Sequence, residues 1–378
     1  MMRPEIRKLR ALAGAALATA GLTLTGTVGA AAQSPRHDSE AGGTFIYTEN
    51  NGAASAGGNA VHAFRLAAGG ALTSLGSFAT GGDGTGSGLG SQGAVTLAGD
   101  GHQLLVVNAA SNSVTLFGVE EDGALTWLSA APSGGTDPIS VAAHGHLVEV
   151  LNAGSNTVSG LALGDRSLSP IGGATVALST GAAAPVQVGL APDGEHVVVA
   201  EKVSNTIDTF AVSHDRLVTL RTTASTGATP FGFDFTRHGD LIVSDAAGGA
   251  AGASATTSYR LDDDGGLHPV DEVASGQSAA CWLVVNRSGN RAYVANTGSG
   301  TVSSYSISGS GRLALRAGAA ATPGGHPLDE ALAGGWFFVL IGQGIAAMPV
   351  LPTGDLGAVT VSGGLPAGTS GLAAVDLG

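Results

Sequence analysis

The chain has 378 residues, 62 of them glycine, with only 12% charged residues and a formal net charge of −13. Such an acidic surface repels nucleic acid and anionic lipid, and we expect neither as a partner. The single cysteine, Cys281, excludes an intrachain disulfide, so the fold has to be stabilised by its core.

Residues 1–32 have the layout of a secretory signal peptide. An uncharged run covers residues 11–28, and Ala30-Ala31-Ala32 offers a cleavage site of small residues. Glycine and threonine weaken the hydrophobicity of this run, which disfavours the alternative of a membrane anchor. The run is preceded by four basic residues, Arg3, Arg7, Lys8 and Arg10. We therefore predict a secreted, extracellular protein without a membrane span after processing.

After a predicted flexible linker over residues 33–42, residues 43–378 form one domain that is built from a repeat. The repeat is clearest in NAASNSVTLF (108–117), NAGSNTVSGL (152–161) and EKVSNTIDTF (201–210). Each copy can be anchored on one loop residue, and the anchors recur at spacings of 43 to 53 residues: Asn59, Asn112, Asn156, Asn205, Ser254, Gly300 and Gln343.

Two columns of residues support this alignment. The position two residues after each anchor holds a β-forming residue: Val61, Val114, Val158, Ile207, Thr256, Val302 and Ile345. The position five residues after each anchor holds a bulky apolar residue: Phe64, Phe117, Leu161, Phe210, Tyr259, Tyr305 and Met348. Chance would not fill both columns in this way, so the chain contains seven copies of one unit.

Each unit predicts four strands. In the copy near residue 190, the strand VQVGLA is followed by an Asp-Gly turn and by the strand HVVVA, as hairpins prefer. A third strand carries the two columns, and a fourth, such as ALTWL, follows a second turn. Four-stranded repeats of this length are typical of a β-propeller.

The two ends of the domain indicate that the ring is closed. The domain begins with a second-type strand, TFIYT, and ends with a first-type strand in GLAAVDL. If the C-terminal strand completes the first blade, two free sheet edges disappear. The predicted fold is therefore an all-β, seven-bladed β-propeller with four-stranded blades.

RAYVANTGSGTVSSY (291–305) and APDGEHVVVAEKVSNTIDTF (191–210) resemble the blade repeat of the lactonase family of seven-bladed β-propellers. That family includes bacterial propeller-type 6-phosphogluconolactonases and fungal carboxymuconate-lactonising enzymes. The resemblance covers the chain from about residue 43 to its end, and it implies a lactone-opening or lactone-forming activity. Enzymes of this family carry an Arg-His pair after a blade link, where this chain has Val186 and Gln187. The resemblance places a catalytic Glu near Glu201.

Two predicted rings of residues surround the axial mouth, the end of the ring where the blade links meet. The first inner-strand position after each link includes Gln187, Trp282 and Asp329, and Glu330 follows the last of these. The ends of the second strands form the other ring, in which carboxylates replace asparagine at Glu201 and Asp245. Asp245 can bond back to its loop as asparagine does, whereas Glu201 does so less easily.

Lactone chemistry needs a proton shuttle and a group that stabilises an oxyanion. We predict Glu201, His326 and Asp329 as the catalytic residues. We predict Lys202, Gln187, Trp282, Asp245 and Glu330 as ligand-binding residues. The spacings of Cys and His predict no metal site, and we expect no cofactor. The glycine-rich stretch TGGDGTGSGLGS (80–91) lacks the Lys-Ser/Thr ending of a phosphate-binding loop and is predicted to be a linker.

Three functions stay open at this point, because one propeller scaffold supports many activities. The first is a lactonase or lactonising enzyme for an unphosphorylated substrate. The second is a non-catalytic module that binds a small molecule, a glycan or a protein, and the third is a structural surface protein. The predicted mouth lacks the clustered Arg and Lys that phosphate recognition needs, which argues against 6-phosphogluconolactonase activity itself. We expect a monomer.

Export is directly testable. If residues 1–32 are a signal peptide, N-terminal sequencing of protein recovered from the culture medium should begin near Gln33. Recovery of a chain that still begins at Met1 from the cytoplasm would contradict the prediction.

Overall fold

In the computed structural model, residues 42–378 are described, so the predicted signal peptide and nearly all of the predicted linker lie outside the described residues. The described part consists of 28 strands and four short 3₁₀ segments, at Ala54–Ala56, Ala68–Gly70, Gly99–Gly101 and Ala247–Gly249.

The strands in chain order are β1 (Thr44–Glu49), β2 (Ala60–Leu66), β3 (Leu72–Ala79), β4 (Val95–Ala98), β5 (Gln103–Asn108), β6 (Ser113–Val119), β7 (Leu125–Pro132), β8 (Pro138–His144), β9 (Leu147–Asn152), β10 (Thr157–Leu163), β11 (Leu168–Ala177), β12 (Pro185–Leu190), β13 (His196–Glu201), β14 (Thr206–Ser213), β15 (Arg216–Ala224), β16 (Pro230–Phe235), β17 (Leu241–Asp245), β18 (Ala255–Leu261), β19 (Leu267–Ala274), β20 (Ala280–Val285), β21 (Arg291–Asn296), β22 (Thr301–Ile307), β23 (Leu313–Ala321), β24 (Glu330–Ala333), β25 (Trp336–Leu340), β26 (Gly344–Pro349), β27 (Thr360–Gly363) and β28 (Ser370–Asp376).

These strands form seven antiparallel sheets of four strands each. Blade 1 has the order β28-β1-β2-β3, and blades 2 to 7 each take the next four strands in chain order. The first strand of each blade, and β28 in blade 1, is the inner strand beside the ring axis. The fold is the seven-bladed β-propeller that the repeat predicts.

The ring is closed by the pairing of β28 with β1, as predicted. Phe45 pairs with Val375 and Tyr47 with Ala373. The hydroxyl of Thr48 also donates to the carbonyl of Gly371 over 2.6 Å. The two ends of the domain are therefore held in one sheet, in which β28 covers the edge of β1.

The core lies between neighbouring blades, and the two columns found in the sequence supply much of it. Every residue of the first column is at most 1% exposed. In the second column only Phe64 is partly exposed. The backbone conformation explains why four of the anchors are asparagine or glycine. Asn112, Asn156, Asn205 and Gly300 all adopt left-handed conformations, which these two residue types tolerate best. Among residues 42–378, none of the helical segments has the length and apolar character that a membrane span requires.

Removal of residues 371–378 should lower the melting temperature by about 10 °C or cause aggregation, because it exposes the edge of β1 and removes buried contacts of Leu372 and Ala373. The measurement is thermal unfolding followed by circular dichroism. A chain that lacks only Leu377 and Gly378, which follow β28, is the control and should change much less. An unchanged melt after the longer deletion would mean that β28 is not needed for closure.

Candidate functional site

The blade links and the loops between second and third strands meet at one end of the ring. The N–H of Gly154 donates to the carbonyl of Thr136, and the N–H of Thr297 donates to that of Ala279. We call this end the mouth face. The other end, which carries the turns between first and second strands, is called the turn face.

At the mouth face, polar side chains on the inner strands bond to the next blade. The amide of Gln187 donates to the carbonyl of Phe233 over 2.9 Å and accepts from the N–H of Phe233 over 2.7 Å. The hydroxyl of Ser140 accepts from the N–H of Val188 over 3.2 Å. The predicted inner ring therefore lies at the channel wall, and the amide of Gln187 is occupied by a bond between blades 4 and 5.

The glycine-rich stretch does more than connect two blades. The end of this stretch and the two residues after it, together residues 88–93, cross the mouth of the channel, and we call this segment the plug. The hydroxyl of Ser91 donates to the carbonyl of Ile139 in blade 3 over 2.7 Å. The carbonyl of Ser91 accepts the indole N–H of Trp282 in blade 6 over 2.9 Å. Sequence reasoning missed this role, since glycine-rich composition alone does not say where a loop lies.

Two cavities lie on either side of the plug. The mouth pocket, of about 210 Å³, is lined by Gly88, Gly90, Ser91, Trp282, Leu328, Asp329, Leu340, Thr369 and Ser370. The axial cavity, of about 330 Å³, extends towards the turn face. Its polar lining residues include Gln92, Thr96, Gln187, Asp234, Asp329 and Glu330.

Asp329 borders both cavities. It is 3% exposed, and its carboxylate accepts hydrogen bonds from the N–H groups of Glu330 (2.9 Å), Leu372 (3.2 Å) and Gly93 (3.4 Å). Burial raises the pKa of Asp329 to about 7, although the three N–H groups oppose the rise. A carboxyl that changes charge near pH 7 can act as either base or acid under ordinary conditions.

Two more carboxyls, those of Glu330 and Asp234, line the axial cavity together with Asp329. Burial raises the pKa of Glu330 well above its usual value, and the charges of Asp329 and Asp234 raise it further. Burial also raises the pKa of Asp234 to about 6, and its carboxylate accepts the N–H of Val285 over 2.8 Å. Sequence reasoning did not identify Asp234. The available signal was an acidic residue inside the apolar inner strand PFGFDF.

Glu201 lies inside blade 4, next to Asp208, and both side chains are fully buried. One oxygen of Glu201 accepts from the hydroxyls of Ser204 (2.7 Å) and Thr206 (2.9 Å). Burial raises the pKa of Glu201 to about 7, and nearby Asp208 raises it while the two hydroxyls lower it. Glu201 does not line the mouth pocket or the axial cavity.

The equivalent positions in the other blades show which residues Glu201 and Asp208 replace. At the same two positions, blades 2, 3 and 6 place asparagine opposite a hydroxyl, and Asn108, for example, donates to Thr115 over 2.9 Å. In blade 5, Asp245 instead accepts from the hydroxyl of Thr257 over 2.6 Å. Asp208 was missed by sequence reasoning. Three residues after the anchor, blades 2, 3, 5 and 6 have a hydroxyl side chain, whereas blade 4 has Asp208. Blade 4 is also the blade in which Glu201 replaces asparagine.

Three further predicted residues lie at the mouth face. The ammonium of half-buried Lys202 lies 5.4 Å from the ring centroid of Phe231, and burial lowers the pKa of Lys202. That ring lies 5.1 Å from the ring of Trp282. Exposed His326 has its Nδ1 3.3 Å from the carbonyl oxygen of Thr297. The mouth pocket thus brings together Trp282 and Asp329, and neither Lys202 nor His326 lines it.

The described residues contain no group of three or more His, Cys, Asp and Glu side chains that is arranged to hold a metal ion. The arrangement instead offers a small pocket with an aromatic wall, a carboxyl that titrates near neutrality and glycine-rich backbone. These features suit the binding of a compact polar ring and proton transfer to or from it.

Comparison with known proteins gives a family match. The family model described as "Lactonase, 7-bladed beta-propeller" matches residues 33–172, 174–251 and 245–331. No curated protein matches the sequence.

Several solved structures have a similar fold. A periplasmic gluconolactonase from Pseudomonas aeruginosa has a TM-score of 0.69 and 16% identity, covering 89% of this chain and 100% of its own. A candidate 6-phosphogluconolactonase from Bacteroides uniformis has a TM-score of 0.68 and 17% identity, covering 86% of this chain and 98% of its own. A protein from Lactobacillus plantarum has a TM-score of 0.69 and 17% identity, covering 88% and 98%. At such identities the similarity shows the fold alone.

Burial of Glu201 should make its contribution to stability depend on pH. Because the pKa of Glu201 is raised to about 7 in the folded protein, its favourable contribution is complete below about pH 4.5 and is lost as the pH rises through about 7. Glu201→Gln removes this titration and should raise the melting temperature at pH 8.5 by about 3 °C, with little change at pH 5.

Exposed Glu121 provides the matched control, and Glu121→Gln should change the melt at neither pH. Equal melting of Glu201→Gln and the original protein at pH 8.5 would show that Glu201 ionises without cost. A loss of turnover by about 10² in Glu201→Gln, with folding retained, would instead support the sequence-based assignment of Glu201 as catalytic base.

Proposed function

Since this chain belongs to the lactonase family of seven-bladed β-propellers, we propose that it hydrolyses a small, unphosphorylated lactone in the mouth pocket, with Asp329 as general base. The single observation that carries this proposal is the position of Asp329. Its carboxyl has a pKa of about 7 and borders a pocket of about 210 Å³, which has the size for one sugar-like ring.

The proposed reaction needs one proton shuttle. The ionised carboxylate of Asp329 takes a proton from water while the water oxygen bonds to the lactone carbonyl carbon. The ring C–O bond then breaks, and Asp329 returns the proton to the leaving ring oxygen to give the hydroxy acid. The glycine-rich wall of the pocket offers backbone N–H donors for the developing oxyanion, and Trp282 offers a flat face for the ring.

The pocket chemistry favours an unphosphorylated substrate. Phosphate recognition relies on Arg and Lys, and neither residue type lines the mouth pocket or the axial cavity. Export, which we also propose from residues 1–32, agrees with this choice, because phosphorylated sugar lactones are cytoplasmic metabolites. The P. aeruginosa neighbour, described as a periplasmic gluconolactonase, supports a lactone of this class outside the cytoplasm.

A second candidate function is binding without catalysis, of a small molecule or a glycan in the same pocket. The observation that favours it is the position of Glu201, which is held inside blade 4 by Ser204 and Thr206. The Arg-His pair of the family's enzymes is also absent, since Val186 and Gln187 occupy those positions. Under this hypothesis the pocket still binds a ligand, but the chain lacks the Arg-His pair that the family's enzymes carry and does not catalyse a reaction.

The two functions can be separated by Asp329→Asn. The asparagine oxygen can still accept the N–H groups of Leu372 and Gly93, which both bind Oδ2 of Asp329, so folding should persist while turnover of glucono-δ-lactone falls by about 10² or more. Asp234→Asn is the matched control, because Asp234 is another channel carboxyl, which lines the axial cavity but not the mouth pocket. Equal turnover in Asp329→Asn and the original protein would contradict the role of Asp329. Saturable binding without any turnover would favour the second function.

The pH profile gives an independent test. Because the base must be ionised, kcat/KM should rise about tenfold per pH unit below about pH 7 and level off above it. A profile that stays flat from pH 5 to pH 8, measured with correction for spontaneous lactone hydrolysis, would exclude Asp329 as the base.

A further inference from the structure

We infer that Gln92 is a positioning residue whose side-chain hydrogen bonds to Leu283, here called the latch, hold the plug across the axial channel. We also infer that the plug held in this way limits the mouth pocket to ligands with a single ring. The part of this inference that concerns ligand size rests on the proposed function, whereas the latch itself does not.

The side chain of Gln92 spans the channel. Its amide donates to the carbonyl of Leu283 over 2.7 Å, and its oxygen accepts the N–H of Leu283 over 3.1 Å. The backbone N–H of Gln92 donates to the carbonyl of Val186 over 3.1 Å. Gln92 precedes blade 2, so this one residue bonds to blades 4 and 6 from another part of the ring. Two hydrogen bonds from one planar amide also fix the orientation of the side chain.

Blade 5 is built to receive this side chain. At the inner-ring position where blade 4 has Gln187, blade 5 has Gly232. A Cβ atom on Gly232 would lie only 2.1 Å from Oε1 of Gln92, so any larger residue would displace the latch. Gln92 makes with Leu283 the same paired bonds that Gln187 makes with Phe233. Because Gly232 has no side chain, blade 5 cannot bond to the backbone of Leu283 in blade 6 from this position, and Gln92 of the plug makes these bonds instead.

The latched plug separates the two cavities. Gly88, Gly90 and Ser91 line the mouth pocket, whereas Gln92 and Gly93 line the axial cavity on the other side. Without the latch, the small pocket would open into the larger cavity beneath it. The position of the plug is thus what restricts the proposed site to a single-ring lactone and excludes a lactone that carries a second sugar.

The experiment compares Gln92→Ala with Gln187→Ala, which removes the same kind of amide bridge but leaves the plug latched. Exchange of the Leu283 amide hydrogen, measured by NMR, should become about tenfold faster in Gln92→Ala and stay unchanged in Gln187→Ala. Calorimetry with two non-hydrolysable probes, glucono-δ-lactam and cellobiono-δ-lactam, measures the size limit. The original protein should bind only the first, and Gln92→Ala should bind the second at least about tenfold more tightly than the original protein does.

Unchanged exchange at Leu283 in Gln92→Ala would overturn the latch. Faster exchange with the disaccharide lactam still excluded would overturn the size limit. If the original protein neither binds glucono-δ-lactam nor hydrolyses the lactone, the proposed function fails, and the exchange measurement alone then decides for or against the latch. Should Gln92→Ala not fold, Gln92→Asn, one methylene too short to make both bonds, serves in the same measurements.

Discussion

Closure of the ring is the constraint on which the rest of this structure depends. Each blade buries both of its faces only if it has a neighbour on each side, and blade 1 has its inner strand only because β28 returns to pair with β1. Closure brings seven inner strands to one axis, where each has an unpaired edge. Buried backbone N–H and C=O groups at such edges need partners. Side chains such as Gln187 and Asp329 supply them, and so does Gln92 from the plug.

This arrangement has an electrostatic consequence. Carboxyls that accept backbone N–H groups, such as Asp234 and Asp329, are held in surroundings that disfavour their charge, and burial raises the pKa of each. The same groups therefore serve two purposes. They join blades at the axis, and they provide protons that can move near neutral pH. The channel is thus the part of the molecule where structural and chemical requirements coincide, and it is there that the proposed base lies.

The candidate site was only partly predictable from the sequence. The repeat fixes which inner-strand residues lie at the axis, and this is why the sequence predicts that Asp329 and Trp282 lie near the mouth, where both line the pocket. Glu201 was selected because it breaks an asparagine column, but its partner Asp208 is buried beside it, and the pair occupies the place of an asparagine and a hydroxyl. Comparing both positions across the blades would have shown that blade 4 replaces an asparagine and a hydroxyl residue together, by Glu201 and Asp208. The assignment of Glu201 as catalytic base stays a prediction.

The sequence by itself determined the architecture, because a propeller is built from local units. Strand periodicity and turns recur from copy to copy, and four of the seven anchors, Asn112 among them, adopt left-handed conformations. A periodic pattern of this kind can be read without knowing any distant contact. The unmatched strands at the two ends even determined how the ring closes. What only the tertiary structure decided is where the irregular segment 88–93 lies and which side chains meet across the axis. The bonds of Gln92 to Leu283 and of Trp282 to Ser91 each join residues 191 positions apart. No local preference encodes such contacts, because they exist only after the ring has closed.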